Sequence, residues 1–440
     1  MNYDKARACA ATIGKKGSIL GLTSIQNLMQ ELSHVEEQLQ IIHIAGTNGK
    51  GSVGAFLESV LMEAGYKVGR YTSPAVFDPL EVWRINQKNI EKERYAELFS
   101  KVKEACDRMV AKGMPHPTIF EVETAMAFCY FKEECCDYVL LEVGMGGRED
   151  ATNLISHPVC SVLTSISMDH MQFLGDTIGQ IAWAKAGIIK ESCPAVTAGQ
   201  ERYGEEVLSV IRKEAEEKHA PLRIAKASEV KLTENSLQEI RFLEPEIGEV
   251  SIPLTGEYQI ENAHLAITVL RQVLKLDADV IKRGLTKTRW PGRFEQIAVD
   301  PLFLIDGAHN EDAAVKLEAS VENYFTNRKI TYIIGVLADK EHAKVLERML
   351  SHASAVYTVT PDNPRALDAK KLQKEAKLVL DRLQGGNKPQ EHSPQVQACE
   401  TVREAVEHAR SVTPEDGVIL AFGSLSYLKD VKKEVQDVSK

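Results

Sequence analysis

The chain has 440 residues, of which 44% are hydrophobic and 26% are charged, and its formal net charge at pH 7 is −10. This length predicts two or three domains, each with its own core, and the acidic balance argues against a general nucleic-acid-binding protein. No run of about 18 apolar residues is present to span a membrane. Eight scattered cysteines without zinc-ligand spacing are typical of a reducing compartment, so we expect a cytoplasmic protein.

Apolar strand-like runs alternate with helical patterns along the chain, which predicts an α/β fold with largely parallel sheets. The runs lie at 41–45, 68–71, 138–143, 159–166, 302–305, 330–336, 355–360 and 418–422. Short strand-like segments at 230–254 predict a small antiparallel patch, and residues 384–394 predict a surface loop. The turn signal Pro291-Gly292 predicts domains at 1–293 and 294–440, the second smaller, Rossmann-like and ordered β-α-β-α-β-α-α-β-α.

The residues at 43–52 read His-Ile-Ala-Gly-Thr-Asn-Gly-Lys-Gly-Ser. An apolar run leads into a glycine-rich turn, and a helical pattern follows, which is the context of a phosphate-binding loop. Backbone N–H groups and a helix N-terminus would face an anion. Lys50 would reach the outer phosphates, and the Ser52 hydroxyl would bind Mg²⁺. The alternative is a glycine-rich turn with an incidental lysine.

Further motifs follow in chain order, and each also has a structural interpretation. Ser73 precedes proline at the end of a strand-like run, where ligands bind in open α/β sheets, or it only starts a turn. Glu121 and Glu123 open a helix, where acids complement the helix dipole. His170 follows Asp169 after a strand, where a lone histidine is more often a packing residue than a ligand.

Together these motifs resemble the folylpolyglutamate synthase/dihydrofolate synthase family of the Mur ligase superfamily. The similar segments are Gly46–Ser52, Tyr71–Pro74, Phe120–Ala125, Glu142–Asn153, Asp169–His170, Lys185–Lys190, Gly256–Ala263, Trp290–Arg293 and Asp306–Asn310. The resemblance implies ATP-dependent ligation of L-glutamate to folate and to dihydropteroate through an acyl phosphate, giving ADP and phosphate. It also implies two Mg²⁺ ions and a monomer that acts on small molecules, without nucleic acid or a membrane.

The resemblance also implies roles for individual residues. The nucleotide would be held by Thr47, Asn48, Gly49, Lys50, Gly51, Ser52, Asn262, Arg293 and Asp306. The metal ligands would be Ser52, Ser73, Glu121 and His170, and Asp150 would face the pterin. Lys50, Lys185 and His309 would be catalytic, with Lys185 carbamylated on its amine. Glu123 is interpreted as a capping or solvent-facing residue, and Ala75 stands where the family often has histidine.

Three alternatives are weighed against this interpretation. A peptidoglycan-type Mur ligase shares the loop but carries an extra N-terminal domain, and only 45 residues precede Gly46 here. A P-loop kinase or motor ATPase would place the serine one position earlier. A catalytically silent nucleotide-binding regulator would not need Lys50, Ser52, Glu121, His170 and Lys185 together. The sequence leaves open which folates are accepted and how long the glutamate chain becomes.

Overall fold

The structure of the protein, a computed structural model, describes residues 1–15, 17, 19–383 and 394–438. The strands are β1 (Ile41–Ala45), β2 (Val68–Tyr71), β3 (Trp83–Ile85), β4 (Lys88–Asn89), β5 (Tyr138–Glu142), β6 (Cys160–Leu163), β7 (Ala195–Ala198), β8 (Leu222–Ala225), β9 (Lys231–Asn235), β10 (Ile240–Glu244), β11 (Gly248–Ile252), β12 (Glu295–Val299), β13 (Leu302–Ile305), β14 (Ile330–Ile334), β15 (Ala353–Thr358), β16 (Gln395–Ala398) and β17 (Val418–Phe422). The helices are α1 (Tyr3–Gly14), α2 (Thr23–Glu31), α3 (Lys50–Glu63), α4 (Lys92–Ala111), α5 (Ile119–Glu133), α6 (Met171–Leu174), α7 (Ile178–Ala186), α8 (Gly204–Glu217), α9 (Tyr258–Thr268), α10 (Ala278–Thr286), α11 (Glu311–Tyr324), α12 (His342–Met349), α13 (Ala369–Leu383), α14 (Val402–Val412) and α15 (Leu428–Val438). The predicted loop at 384–394 lies outside the described residues except for its last position.

The chain forms two compact units. The first comprises Met1–Thr233, Arg241–Ile252 and Gln259–Arg289, and the second comprises Glu234–Ile240, Pro253–Tyr258 and Trp290–Lys440. The predicted domain boundary after residue 293 stays a prediction.

The first unit contains an eight-stranded sheet with the order β4-β3-β2-β5-β1-β6-β7-β8. The six strands from β2 to β8 along this order pair in parallel, and only β3 and β4 are antiparallel additions. The predicted α/β fold with a largely parallel sheet is confirmed. Since β1 lies between β5 and β6, the loop that leaves its carboxyl end has neighbours on both sides.

The residues of β1 are buried throughout, as expected for a parallel strand that is covered by helices on both faces. One core cluster packs Ile41 of β1 with apolar residues of α1, α2, α4 and α5. A second cluster packs Ala45 with residues of α7 and α8. These two cores fix the strand from which the phosphate loop leaves.

The second unit contains a six-stranded sheet with the order β12-β13-β17-β14-β15-β16. All neighbouring pairs are parallel except β12 with β13. The predicted element order omitted β12 and β16, and it is wrong in that respect. Both are edge strands with several exposed or half-buried residues, so they lack the continuous apolar run that marks the central strands.

Strands β9, β10 and β11 form a separate three-stranded sheet with β10 in its centre. The residues of β10 alternate between buried and exposed, which is the pattern of a strand with one covered face. Among the described residues, no helix combines the length and the apolar character that crossing a membrane requires.

Candidate active site

The phosphate loop connects β1 to α3, as the sequence predicts. Gly49 has a φ of 91° and caps α3, which begins at Lys50. Gly46 has a φ of 153°, and a Cβ atom there would lie 1.8 Å from Thr164 Oγ1. Glycine is therefore required at both positions, at Gly49 for a left-handed conformation and at Gly46 also for close packing.

The segment after β6 fixes the first half of the loop. The Thr47 N–H donates to the Ser165 carbonyl at 2.8 Å, and the Asn48 N–H contacts the same oxygen at 3.3 Å. Thr164 Oγ1 donates to the Asn48 carbonyl at 2.7 Å. The N–H groups that open α3 have no acceptor one turn earlier in the helix, so they can bind an anion. They belong to Lys50, Gly51 and Ser52.

Two lysine side chains converge on one carbonyl oxygen of the loop. Lys50 Nζ donates to the Gly46 carbonyl at 3.1 Å, and Lys185 Nζ donates to the same oxygen at 3.0 Å. Lys185 is 3% exposed and lies in the last turn of α7. Two basic side chains therefore lie side by side at the place where phosphates are expected.

The strand β5 brings a carboxylate to the same edge of the sheet. Glu142 is the last residue of β5 and pairs in register with Ile44 of β1. Its Oε2 atom accepts a hydrogen bond from Thr72 Oγ1 at 2.8 Å, and Ser73 follows directly. Glu142 therefore lies between the phosphate loop and Ser73, a position that the sequence interpretation did not assign to it.

The two acids that open α5 have different roles. Glu121 closes a capping box, because its Oε2 atom accepts hydrogen bonds from the N–H and the hydroxyl of Thr118 at 2.6 and 2.8 Å. The interpretation of Glu123 as a capping or solvent-facing residue is wrong, since Glu123 is half-buried and burial raises its pKa to about 7. Binding of Mg²⁺ by Glu121 stays a prediction.

Asp150 organises the glycine turn that follows β5. Its side chain is 2% exposed, and its two oxygens accept hydrogen bonds from the N–H groups of Met145 at 2.8 Å and Thr152 at 3.0 Å. Burial raises the pKa of Asp150, and these hydrogen bonds oppose the rise. The structure thus gives Asp150 a positioning role, and its predicted contact with the pterin stays a prediction.

His43 continues this buried hydrogen-bond chain beneath the loop. Thr152 Oγ1 donates to Asp150 Oδ1 at 2.6 Å, so the contact of 2.9 Å between His43 Nε2 and Thr152 Oγ1 requires a proton on Nε2. Burial, with a contribution from Lys190, lowers the pKa of His43 to about 3.

We expect His43 to make the protein acid-sensitive. An unfolded histidine titrates near pH 6.5, so the unfolded state takes up this proton first and the stability falls as pH decreases from about 6.5 towards 3. His43→Gln keeps a side-chain donor that does not titrate, so the stability of this variant should depend less on pH between about 6.5 and 3. Urea unfolding of both proteins at several pH values measures the difference, and identical slopes would contradict the assignment.

A pocket of about 300 Å³ lies beside the glycine turn. Its lining includes residues 145–149, Phe173 and Trp183. Both aromatic residues are more than half exposed. The Arg148 guanidinium stacks on the Trp183 ring at 4.1 Å and is paired with Glu214.

Asn262 lies directly against the phosphate loop. A Cβ atom on Gly49 would be 2.4 Å from Asn262 Oδ1, and Asn262 Nδ2 donates to Gln259 Oε1 at 3.0 Å. Gln259 Nε2 is buried and has no hydrogen-bond partner among the residues that the structure describes. Gln259 is thus a second amide at the predicted nucleotide site, which the motif contains but the interpretation did not single out.

Gly49→Ala should weaken nucleotide binding, because the new methyl group would push Asn262 away from the loop. Gly65→Ala is the matched control, since Gly65 has nearly the same φ of 90° but open space around its Cα. Both variants carry the same backbone strain of about 1–2 kcal/mol. Isothermal titration with ADP should show a lower affinity only for Gly49→Ala, and equal affinities would contradict the proposed contact.

His170 directly precedes the short helix α6 and has a φ of 52°. Its N–H donates to Asp169 Oδ1 at 2.8 Å, and its Nε2 atom lies 3.7 Å from Asp169 Oδ2. About a third of its side chain is exposed. The carboxylate of Asp169 therefore helps to fix the ring that the sequence predicts as a metal ligand.

The predicted residues of the second unit cluster after β13. Asp306 is 4% exposed, and its oxygens accept hydrogen bonds from the N–H groups of Phe294 and Ala308, both at 2.8 Å, and from Tyr258 Oη at 3.2 Å. Burial raises the pKa of Asp306, and Arg293 opposes this shift. His309 Nδ1 donates to the Gly307 carbonyl at 2.8 Å.

Comparison with known proteins identifies the family. Residues 44–270 match the Mur ligase middle domain, and residues 292–425 match the Mur ligase glutamate ligase domain. The chain is 34% identical over 445 residues to a dihydrofolate synthase/folylpolyglutamate synthase of Bacillus subtilis, with 99% of both chains covered. The chain belongs to the folylpolyglutamate synthase/dihydrofolate synthase family of Mur ligases. It is also 34% identical to a folylpolyglutamate synthase of Lacticaseibacillus casei over 83% of this chain and 87% of that one.

Solved structures of this family share the whole fold. Mycobacterium tuberculosis folylpolyglutamate synthase complexed with ADP and AMPPCP superposes with a TM-score of 0.86 at 28% identity, covering 99% of both chains. E. coli FolC in complex with DHPP and ADP superposes with a TM-score of 0.85 at 27% identity, covering 100% of this chain and 99% of the other. The protein is therefore an ATP-dependent amide ligase of the folylpolyglutamate synthase/dihydrofolate synthase type, and it ligates glutamate to folates.

Proposed function

We propose that this ligase adds L-glutamate to dihydropteroate as well as to reduced folates, through an acyl phosphate in both reactions. The observation that carries the chemistry is the pair of lysine side chains, Lys50 and Lys185, on the Gly46 carbonyl of the phosphate loop. Acceptance of both substrates is supported by the name of the Bacillus subtilis relative and by the DHPP complex of FolC.

The reaction needs phosphate because a carboxylate is a poor electrophile. The carboxylate oxygen attacks the γ-phosphorus of ATP. The bond between that phosphorus and the β,γ-bridging oxygen breaks, and ADP leaves. The Lys50 ammonium and the N–H groups at the start of α3 stabilise the charge on the transferring phosphoryl group. The deprotonated amine of glutamate then attacks the acyl carbon, an amide forms, and inorganic phosphate leaves.

We propose that the donor set at the edge of the first sheet binds Mg²⁺ at two sites. Hydroxyl and carboxylate oxygens are the ligands that Mg²⁺ prefers, and Ser52, Ser73 and Glu142 supply them near the loop. We add Glu142 to the predicted ligands Glu121 and His170, because its strand register places it between the loop and Ser73. Bound Mg²⁺ would neutralise phosphate charge and orient the γ-phosphoryl group.

We further propose that Lys185 is carbamylated. Its amine must be neutral to attack CO₂, and the neighbouring Lys50 charge together with burial favours the neutral form. The carbamate would replace a cation by an anionic oxygen ligand, which removes the repulsion between the two side chains. It would also let Lys185 hold a metal ion.

The pocket beside the glycine turn is the site that we propose for the aromatic part of the pteroate. Phe173 and Trp183 line this pocket and are each more than half exposed, and stacking on an aromatic ring suits a planar ring system. Asp150 would act by holding the turn that lines the pocket, in addition to its predicted contact with the pterin. Ala75 stands where the family often has a histidine near this substrate.

We assign residues 1–293 and 294–440 to the ATP-binding and the ligase domain, respectively. We propose that Arg293 and His309 bind phosphate groups and that Asp306 holds the loop after β13 in shape. The eight cysteines are all free thiols, which supports a cytoplasmic location. We propose that the enzyme acts as a monomer.

An ADP-release assay tests this function. Dihydropteroate and tetrahydrofolate should each stimulate ADP release, and only when glutamate is present should a longer product accumulate. Turnover with tetrahydrofolate but none with dihydropteroate would leave only the polyglutamylating activity. If neither substrate supports turnover, the proposal is contradicted.

A further inference from the structure

A buried arginine lies beneath the phosphate loop. Arg70 is on β2, is 2% exposed and is one of the largest buried side chains of the protein. Its Nη1 atom forms an ion pair of 3.1 Å with Glu58 Oε2, and both side chains are 2% exposed. Its Nη2 atom donates to the carbonyl of Gly51 at 2.5 Å, the second residue of α3.

The surroundings hold both charged groups in place. Glu58 Oε1 accepts a hydrogen bond from the Gln87 N–H at 3.0 Å. Gly54, one turn after the loop, makes room for the guanidinium, since a Cβ atom there would lie 3.0 Å from Arg70 Nη2 and 3.2 Å from its Cζ. The guanidinium is therefore fixed against the start of α3 and has little room to move.

Stability alone is a weak explanation for this ion pair. Desolvation of two charges can exceed their attraction, so replacing a buried pair by neutral groups is often neutral or favourable for folding. The contact with Gly51 is more informative, because the Gly51 carbonyl and the Ser52 N–H belong to the same peptide group. A charged donor on the carbonyl polarises this peptide and strengthens its N–H as a donor.

We propose that Arg70 is a positioning residue for the nucleotide, acting through the Gly51–Ser52 peptide of the phosphate loop. Its charge makes the Ser52 N–H a stronger donor to a phosphate oxygen, and its hydrogen bond fixes the orientation of that peptide. Glu58 keeps the guanidinium in place and balances its charge. This inference rests on the proposed binding of ATP at the loop.

The double variant Arg70→Met/Glu58→Gln tests the proposal. It removes both charges together, so neither is left buried without a partner, and glutamine keeps an acceptor for the Gln87 N–H. We expect the Kd for ADP to rise about tenfold, while the midpoint of thermal unfolding stays within a few degrees of wild type. Arg108→Met/Glu31→Gln, which removes the surface ion pair of 3.0 Å in the same unit, should leave the Kd unchanged.

Two single variants separate positioning from packing. Arg70→Lys keeps the charge and should bind ADP with a Kd between those of wild type and the double variant. Gly54→Ala crowds the guanidinium while it favours the helix, so we expect weaker ADP binding in a variant that still folds, and it decides the question if the double variant does not fold. A folded Arg70→Met/Glu58→Gln or Gly54→Ala variant with the wild-type Kd would overturn the proposal, whereas failure of the wild type to bind ADP would overturn the proposed function itself.

Discussion

Lys50→Ala should lower kcat by at least about 100-fold, because it removes a charge that stabilises the transferring phosphoryl group. A loss of this size corresponds to about 2.7 kcal/mol of transition-state stabilisation. The folding stability should change little, since Lys50 is half-buried and, within the part of the chain that the structure describes, its Nζ atom donates only to the carbonyls of Gly46 and Thr47. Steady-state kinetics and thermal unfolding measure the two effects separately.

The matched control for this variant is Lys103→Ala on the surface helix α4. Lys103 forms an ion pair with Asp107 one turn away, and such pairs contribute at most about 0.5 kcal/mol. The Lys103→Ala enzyme should retain wild-type kinetics. A Lys50→Ala enzyme that keeps more than a tenth of the wild-type kcat would show that Lys50 does not act in the transition state.

Depletion of CO₂ should inactivate the enzyme reversibly if Lys185 carries a carbamate. Turnover should fall as bicarbonate is removed at constant pH and should return when it is restored. With ¹³C-labelled bicarbonate, NMR spectra should show one carbamate carbon in the wild-type protein and none in Lys185→Ala. Arginine at this position would keep the charge without forming a carbamate, so Lys185→Arg should be as inactive as Lys185→Ala.

The neighbouring Lys190 provides an internal control for this experiment. Burial lowers its pKa to about 8, so it is also partly neutral, but its Nζ atom donates to the Asn153 carbonyl at 2.9 Å and not to the phosphate loop. Lys190→Arg should keep the carbamate signal. A carbamate signal that persists in Lys185→Ala and disappears in Lys190→Arg would assign the carbamate to Lys190 and contradict the proposal for Lys185.

The central strands and the phosphate loop were predictable because each has a local cause. The run Ile41–Ala45 is buried throughout since both faces of β1 are covered. The loop requires glycine because of its backbone conformation and its contact with Thr164. Edge strands β12 and β16 were missed because partly solvated strands need no continuous apolar run.

The roles of acidic residues were harder to predict, because they depend on contacts between distant parts of the chain. Nothing local distinguishes Asp150, whose oxygens are engaged by Met145 and Thr152, from a carboxylate that is free to bind substrate. Glu142 became a candidate ligand only through the register of β5 against β1. Arg70 also looks like an ordinary strand residue until the Gly51 carbonyl is found beside it.

Transfer of oxygen from substrate to phosphate tests the acyl-phosphate mechanism most directly. Tetrahydrofolate labelled with ¹⁸O in its γ-carboxylate would be incubated with the enzyme, ATP and glutamate, and the inorganic phosphate would be analysed by mass spectrometry. The mechanism predicts one ¹⁸O atom in each phosphate released, since the attacking carboxylate oxygen leaves with phosphorus. Phosphate without ¹⁸O, formed together with the glutamylated product, would contradict it.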